Sequence, residues 1–285
     1  MDICIEEAID SFNIKDLENY LKEFRWGLEQ KIDGVRCLMT VEKSRIIIRS
    51  RNNKELNIHS MFKDDLENIK DYVGYTFDGE LFKDNFNLTN GLIHRSNPTE
   101  SVDFYIFDIF KTKTLYSCNP YEVKYEDRKE QLSKIFQKNM FKNFKLVGYK
   151  EKVYKSLDSF NDDIDTYISR GFEGIVIKKI HSFYIPRRTS DWLKGKKFLT
   201  LDLRIGDIEV DKIRHWAKAI LVDYKGKYLA VGSGLSNKLR YDLYNNPDNY
   251  IGKIVEVKFM EKTSNGVFRQ PVFVRFRDDK SKPDA

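Results

Sequence analysis

The sequence predicts an α+β domain over residues 1–199 followed by a small all-β barrel over residues 200–285. Three observations predict it. Runs of β-branched and aromatic residues alternate with helical periodicity as far as Leu199. After Thr200 the helical pattern gives way to five short strand-like runs with turn residues between them. Hydrophobic residues are 41% of the chain and aromatic residues 14%, enough apolar surface for a sizeable core and too much for a disordered chain. The length suits one large domain plus a smaller one.

Taken in order, Ile14, Leu17, Leu21 and Phe24 recur at helical spacing, with Lys15, Glu18 and Lys22 opposite them. This predicts a short packing helix over Asn13–Phe24. From Leu28 the chain turns β-rich. Val35, Cys37, Met39 and Val41 alternate with Arg36, Thr40 and Glu42, and Arg45–Arg49 follows a Lys43-Ser44 turn, which predicts a hairpin. Tyr75–Phe82, Asp103–Phe110 and Gly174–Ile180 read as strands. Met61–Tyr72, Tyr125–Asn139 and Leu157–Arg170 read as helices. In the second domain the strands are Leu201–Ile208, Ala217–Tyr224, Lys227–Gly232, Lys253–Glu261 and Val272–Arg277. Five such strands fit a Greek-key barrel of the OB-fold kind. The polar tail is expected to be loose after Lys280.

Composition narrows the function. Lys+Arg number 50 against 44 Asp+Glu, a net charge of +6. That mild excess suits a protein that handles phosphate, and a solvated lysine-rich surface would give the same number. Cys4, Cys37 and Cys118 are odd in number and form no Cys-x-x-Cys pair, which predicts a reduced, cytoplasmic protein without structural zinc. The four histidines show no ligand spacing. Asp2, Glu6 and Glu7 lie in an N-terminus without a long apolar run, so no signal peptide is expected, and no later stretch is apolar enough to span a membrane.

The most informative segment is Lys31-Ile32-Asp33-Gly34-Val35-Arg36. It reads as strand–turn–strand, with a lysine ahead of an acidic turn and an arginine after it. A lysine amine can attack an electrophilic phosphorus only once it has lost a proton. Its ordinary pKa of about 10.4 requires nearby positive charge or burial to bring that within reach. By itself the hexamer also fits a surface hairpin with Asp33-Gly34 in the turn. Other segments supply what the chemistry needs. Arg36 and Arg51 offer the planar fork that grips phosphate. Lys194 and Lys196 alternate, so on a strand both point to one face. Glu29, Glu80 and Glu173 are acceptors, and Arg275 and Arg277 again lie two apart.

In order and spacing, these segments resemble the motifs of covalent nucleotidyltransferases. They are Glu29–Arg36, Ser50-Arg51, Phe77–Leu81, Tyr105–Asp108, Glu173–Lys178, Trp192–Phe198 and Phe268–Lys280. The family is the ATP-dependent DNA ligases, with RNA ligases and mRNA-capping enzymes as relatives, and the likeness is closest to compact viral and phage ligases. The resemblance implies a nucleotidyltransferase (adenylation) domain followed by an OB-fold domain, acting on ATP and nicked double-stranded DNA. It implies that Lys31 attacks the α-phosphorus of ATP, giving lysyl–AMP and pyrophosphate. AMP then passes to the 5′-phosphate of the nick, and the 3′-hydroxyl expels it.

The resemblance also assigns residues. Glu29 reads the adenine amino group, and Phe107 stacks on adenine. Arg36 and Arg51 contact the nucleotide and the 5′-phosphate. Glu80 holds the ribose hydroxyls, with Gly79 letting backbone approach the ligand. Glu173 holds Mg²⁺ (or Mn²⁺), Lys194 and Lys196 neutralise the α-phosphate, and Arg275 and Arg277 clasp the pyrophosphate. Asp33 matches a position linked to metal or 3′-hydroxyl handling, and a turn-forming Asp explains it as well. Because Lys31 and Arg275 fall in different domains, the second domain is expected to swing for the first step and then withdraw.

Lys31 lies so early that no separate DNA-encircling domain is expected ahead of it. DNA grip then rests on basic faces and weakens steeply with salt. The expected enzyme is an intracellular monomer that binds no membrane, with a role in DNA repair or replication. The rivals are a capping guanylyltransferase, which takes label from GTP, an RNA ligase, which prefers nicked RNA, and a catalytically idle OB-fold nucleic-acid binder, which takes no label.

Overall fold

A computed structural model describes residues 3–95, 100–260 and 267–284. Asp2, and Glu261 at the end of one expected strand, lie outside the described residues. The chain divides into two compact units, Met1–Lys196 and Lys197–Ala285.

In the first unit the strands are β1 (Glu7–Asp10), β2 (Trp26–Lys31), β3 (Val35–Val41), β4 (Ile46–Ser50), β5 (Tyr75–Phe82), β6 (Asp103–Lys111), β7 (Phe144–Leu146), β8 (Lys150–Lys152), β9 (Gly174–Lys179) and β10 (Arg188–Gly195). Its helices are α1 (Leu17–Glu23), α2 (Lys63–Ile69), α3 (Phe86–Ile93), α4 (Thr112–Ser117), α5 (Tyr125–Lys138) and α6 (Leu157–Ser169). The strands form two sheets, ordered β1-β10-β9-β2-β8 and β4-β3-β5-β6-β7. The pairs β1–β10 and β6–β7 are parallel.

This topology corrects the hairpin reading of Lys31–Arg36. β2 and β3 belong to different sheets, and residues 32–34 carry the chain from one to the other. Gly34 is required at that crossing. A Cβ there would lie 2.1 Å from the Leu81 carbonyl oxygen of β5, so the crossing is pressed directly against the β5 backbone and leaves no room for a side chain.

Packing follows the apolar pattern. Leu21 of α1 is buried with Trp26, Leu28, Phe160, Ile164, Ile175 and Ile177, and the Trp26 indole N–H donates to the Leu21 carbonyl at 2.9 Å. The helix expected over Asn13–Phe24 begins only at Leu17, because Asp16 takes a left-handed φ of 56° that a helix cannot include. The helix expected over Met61–Tyr72 is a 3₁₀ turn, His59–Phe62, running into α2. A cluster of Leu38, Phe110, Leu115, Tyr184 and Trp192, with Ile5 and Ala8, joins the two sheets.

The reading of reduced cysteines is also corrected. Cys4 and Cys118 form a disulfide with Cα atoms 5.3 Å apart, and Cys37 is free and buried. The Cys4 N–H donates to the Leu115 carbonyl at 2.9 Å, which seats the N-terminal segment against α4. A sequence separation of 114 residues gave no hint of the pairing. The cytoplasmic expectation loses the support it drew from unpaired thiols.

The second unit contains, among the described residues, β11 (Leu199–Asp211), β12 (Trp216–Tyr224), β13 (Lys227–Val231), β14 (Ile254–Phe259) and β15 (Val272–Phe276). They pair antiparallel in the order β13-β12-β11-β14-β15. A parallel bridge between Ser233 and Val272 ties the ends of that order together, closing the sheet as a small barrel requires. The sequence missed α7 (Asn237–Asn245), whose first turn is capped by Ser236 accepting from the Leu239 N–H at 3.2 Å.

Candidate active site

A cavity of about 490 Å³ opens in the first unit, lined by strands of both sheets. The crossing at residues 32–34 explains its position. Ile32 and Gly34 line it, and it continues along Lys31 and Glu29 of β2 and Arg36 of β3. Its volume is in the range of small-molecule sites.

Lys31, the last residue of β2, lines the cavity and is paired in register with Gly174 of β9. The Lys31 ammonium donates to Oε2 of Glu173. Oε1 of the same carboxylate meets Lys196 Nζ at 2.9 Å. Lys194 lines the cavity nearby. Burial holds its ammonium below the ordinary lysine range, Asp10 opposes this, and the charges of Lys196 and Lys31 add to it. β10 ends at Gly195, so Lys196 reaches Glu173 from just beyond the strand. Glu80 of β5 also lines the cavity, and burial pushes its carboxyl up to about 7 against the pull of Lys31 and Arg36.

No cluster of three or more His, Cys, Asp or Glu among the described residues could hold a metal ion by itself. Mg²⁺ needs only one or two protein carboxylates when phosphate oxygens complete its shell. The Glu173 carboxylate beside Lys31 fits that requirement.

Arg36 of β3 lines the cavity as well. Its guanidinium grips Asp78 through two bonds of 2.8 and 2.6 Å and donates to the Glu6 carbonyl at 2.9 Å. It also lies over the rings of Phe107 and Trp192 at 5.1 and 5.8 Å. One face is therefore committed to protein and the rest borders the cavity. Arg51 sits on the rim with a side chain 58% exposed, 3.9 Å from Glu7.

Phe107, Trp192, Lys178 and Glu29 also line the cavity. Asp78 pairs with Asp108 and Gly79 with Ile106, so Phe107 is the extra residue of a β-bulge. Bulges re-aim side chains, and Phe107 meets Trp192 edge-on at 6.1 Å. The bulge also explains Gly79. A Cβ there would lie 2.5 Å from the Tyr105 carbonyl. This glycine serves the approach of β6.

Glu29 is buried, with a side chain 3% exposed. Its Oε1 accepts from the Tyr125 hydroxyl at 2.7 Å and from Lys129 at 2.9 Å, and Oε2 meets Lys178 Nζ at 2.8 Å.

The structure thus brings Glu29, Lys31, Arg36, Arg51, Glu80, Phe107 and Lys194 to one cavity, with Glu173 and Lys196 bonded to each other beside Lys31. Asp33 is half-buried and does not line the cavity. The two C-terminal arginines do not share a strand face as expected. β15 ends at Phe276, Arg275 turns to Glu256 at 2.8 Å, and Arg277 lies past the end, bonded to Asp202 at 2.6 Å and Asp279 at 2.8 Å.

Sequence reasoning missed Asp78, Tyr125, Lys129 and any role for Lys178 and Trp192. One signal was available. Arg128 and Lys129 share the buried face of α5 with Leu132 and Ile135, and charged residues at core positions of an amphipathic helix need buried partners.

Comparison with known proteins finds a family match for each of the two units. Residues 9–196 match the family described as ATP dependent DNA ligase domain, and residues 212–277 match the DNA ligase OB-like domain. The chain is 28% identical to a DNA ligase of Archaeoglobus fulgidus, covering 95% of this chain and 55% of that protein. It is 27% identical to the DNA ligase of Enterobacteria phage T4, covering 69% and 45%. The chain spans about half the length of these curated relatives. The solved structure named Pmar-Lig_Pre superposes with a TM-score of 0.82 at 23% identity, covering 98% of this chain and 68% of that one, a likeness of fold.

Proposed function

Because the chain belongs to the ATP-dependent DNA ligase family, we propose that it seals nicks in duplex DNA through a lysyl–AMP at Lys31 and a DNA-adenylate. The observation that carries this is Lys31, bonded to Glu173 and lining the same cavity as the Phe107 ring and the buried Glu29 carboxylate.

The chemistry follows from the residues. Lys31 Nζ forms a bond to the α-phosphorus while the bond to pyrophosphate breaks. Before attack the ammonium must shed a proton, and the Glu173 carboxylate already holds it by a hydrogen bond. Lys194 and Lys196 offset charge on the α-phosphate in ATP and in lysyl–AMP. Arg36 is fixed by Asp78, so its free edge meets the nucleotide or the nick phosphate without reorganising, and Arg51 adds a second contact at the rim. Glu80 accepts from the ribose, Phe107 stacks on adenine, and Glu29 accepts from its amino group. Arg275 and Arg277 are assigned to the pyrophosphate, and Asp33 to the sealing step.

Glu173 would hold Mg²⁺ (or Mn²⁺) together with phosphate oxygens. The ion supplies charge neutralisation at the phosphates. The same reading takes the enzyme as an intracellular monomer that binds no membrane. No helix among the described residues is long and apolar enough to cross one.

The test is a sealing assay. Nicked duplex with a labelled 5′-phosphate, ATP and Mg²⁺ should yield sealed product, and GTP in place of ATP should not. Labelling from GTP alone points to capping chemistry, and preference for a nicked RNA duplex points to an RNA ligase.

A further inference from the structure

We propose that Tyr125 and Lys129 of α5 are positioning residues that fix the base-reading wall of the cavity from behind. This rests on the reading of the cavity as a nucleotide site.

The geometry carries it. The Lys129 ammonium donates to Glu29 Oε1 at 2.9 Å, to the Phe107 carbonyl at 3.2 Å and to the Val147 carbonyl. An ammonium has three protons to give, and all three are used. Each acceptor belongs to a residue that lines the cavity, whereas Lys129 and Tyr125 do not line it. One buried cation therefore ties β2, the bulge of β6 and the segment after β7 into a single wall. Tyr125 adds a second donor to Glu29 Oε1 at 2.7 Å. Its ring is pressed against β2, since a Cβ at Gly27 would lie 2.4 Å from it. With Oε1 held by two donors behind the wall, the carboxylate has one orientation to offer an incoming base.

The surroundings agree. Burial lowers the Lys129 pKa while Glu29 opposes the shift, and burial with the Glu29 charge raises that of Tyr125. Lys178, on the other oxygen, lies over the Trp192 ring at 4.0 Å and the Phe107 ring at 4.5 Å. Glu29 is thus clamped from both sides. A clamped carboxylate rejects a carbonyl where it expects an amino group, and a loose one can turn away. Losing either donor behind the wall should weaken nucleotide binding and blunt the preference for adenine, while the Lys31 attack proceeds at its former rate once the site is filled, because Lys31 is held by Glu173 and by neither of these donors.

The experiment measures Lys31 labelling over a range of ATP and GTP concentrations for wild type, Tyr125→Phe, Lys129→Met, Glu29→Gln and the Tyr125→Phe/Glu29→Gln double variant. Tyr125→Phe should raise KM for ATP about tenfold, the loss of one hydrogen bond to a charged group, with kcat changed less than about twofold and the ATP/GTP preference reduced. In the Glu29→Gln background it should add nothing. Lys129→Met should act in the same direction more strongly. If it does not fold, Tyr125→Phe, which removes one hydroxyl, carries the test. A wild-type KM and preference in Tyr125→Phe, or an equal effect with and without Glu29, overturns the proposal. If wild type takes no label, the ligase reading fails separately, and calorimetric titration of wild type and Tyr125→Phe with ATP then decides the positioning role by the same tenfold difference.

Discussion

Lys31 and Lys196 share one carboxylate: Glu173 accepts from Lys31 on Oε2 and meets Lys196 on Oε1 at 2.9 Å. The candidate nucleophile is thus stored beside a group able to receive its proton, with a second cation holding that group in place. Glu173→Gln should keep the fold, because an amide can occupy the same space, and should slow Lys31 adenylylation by about a hundredfold or more, the range for loss of a proton acceptor. Single-turnover labelling checks this. An unchanged rate would assign proton removal elsewhere.

The β2–β3 crossing predicts a backbone effect. Gly34→Ala places a methyl 2.1 Å from the Leu81 carbonyl, and relieving it must shift β5. The expected loss is about 1–3 kcal/mol, read as a lower urea midpoint, together with weaker ATP binding because Glu80 adjoins Leu81.

Glu6 gives a pH dependence. Its side chain is buried, Oε1 has no hydrogen-bond partner among the described residues, and burial raises its pKa well above the usual 4.5. The folded protein therefore holds a proton on Glu6 that the unfolded chain releases near that ordinary value. Above it the unfolded state binds fewer protons, so this residue's contribution to stability falls as pH rises until the folded form also ionises. Glu6→Gln should remove that slope. Urea unfolding at pH 5 and pH 8 should show the variant gaining on wild type at the higher pH, and a constant difference would place Glu6 among ordinary carboxylates.

The disulfide predicts a redox effect on stability. Closing a loop between residues 114 apart is worth up to about 5 kcal/mol in the chain-entropy model. Reductant, or Cys4→Ser, should lower the unfolding temperature by several degrees. A wild-type protein indifferent to reductant would mean that Cys4 and Cys118 are thiols in solution.

Much of the fold was legible because periodicity reports burial. The strands around Phe77, Phe107 and Ile177, the helices at Tyr125 and Leu157, and the five barrel strands alternate or recur at the spacing of their buried faces. β1 and β8 were not legible. Each is short, and β1 owes its place to parallel pairing with β10, a partner remote in sequence. The short α3 and α4 were missed for the same reason. At the site, Lys31, Glu80, Phe107 and Lys194 were read through ordered motifs. The clamp on Glu29 was not, because Tyr125 and Lys129 lie in no such motif and reach the site only from behind.

Peptide mapping after incubation with ATP and Mg²⁺ locates the adenylate. A mass increase of one adenylate is expected on the peptide containing Lys31, absent in Lys31→Ala. An adenylate on any other residue, or none on a folded wild-type protein, would contradict a lysyl–AMP at Lys31.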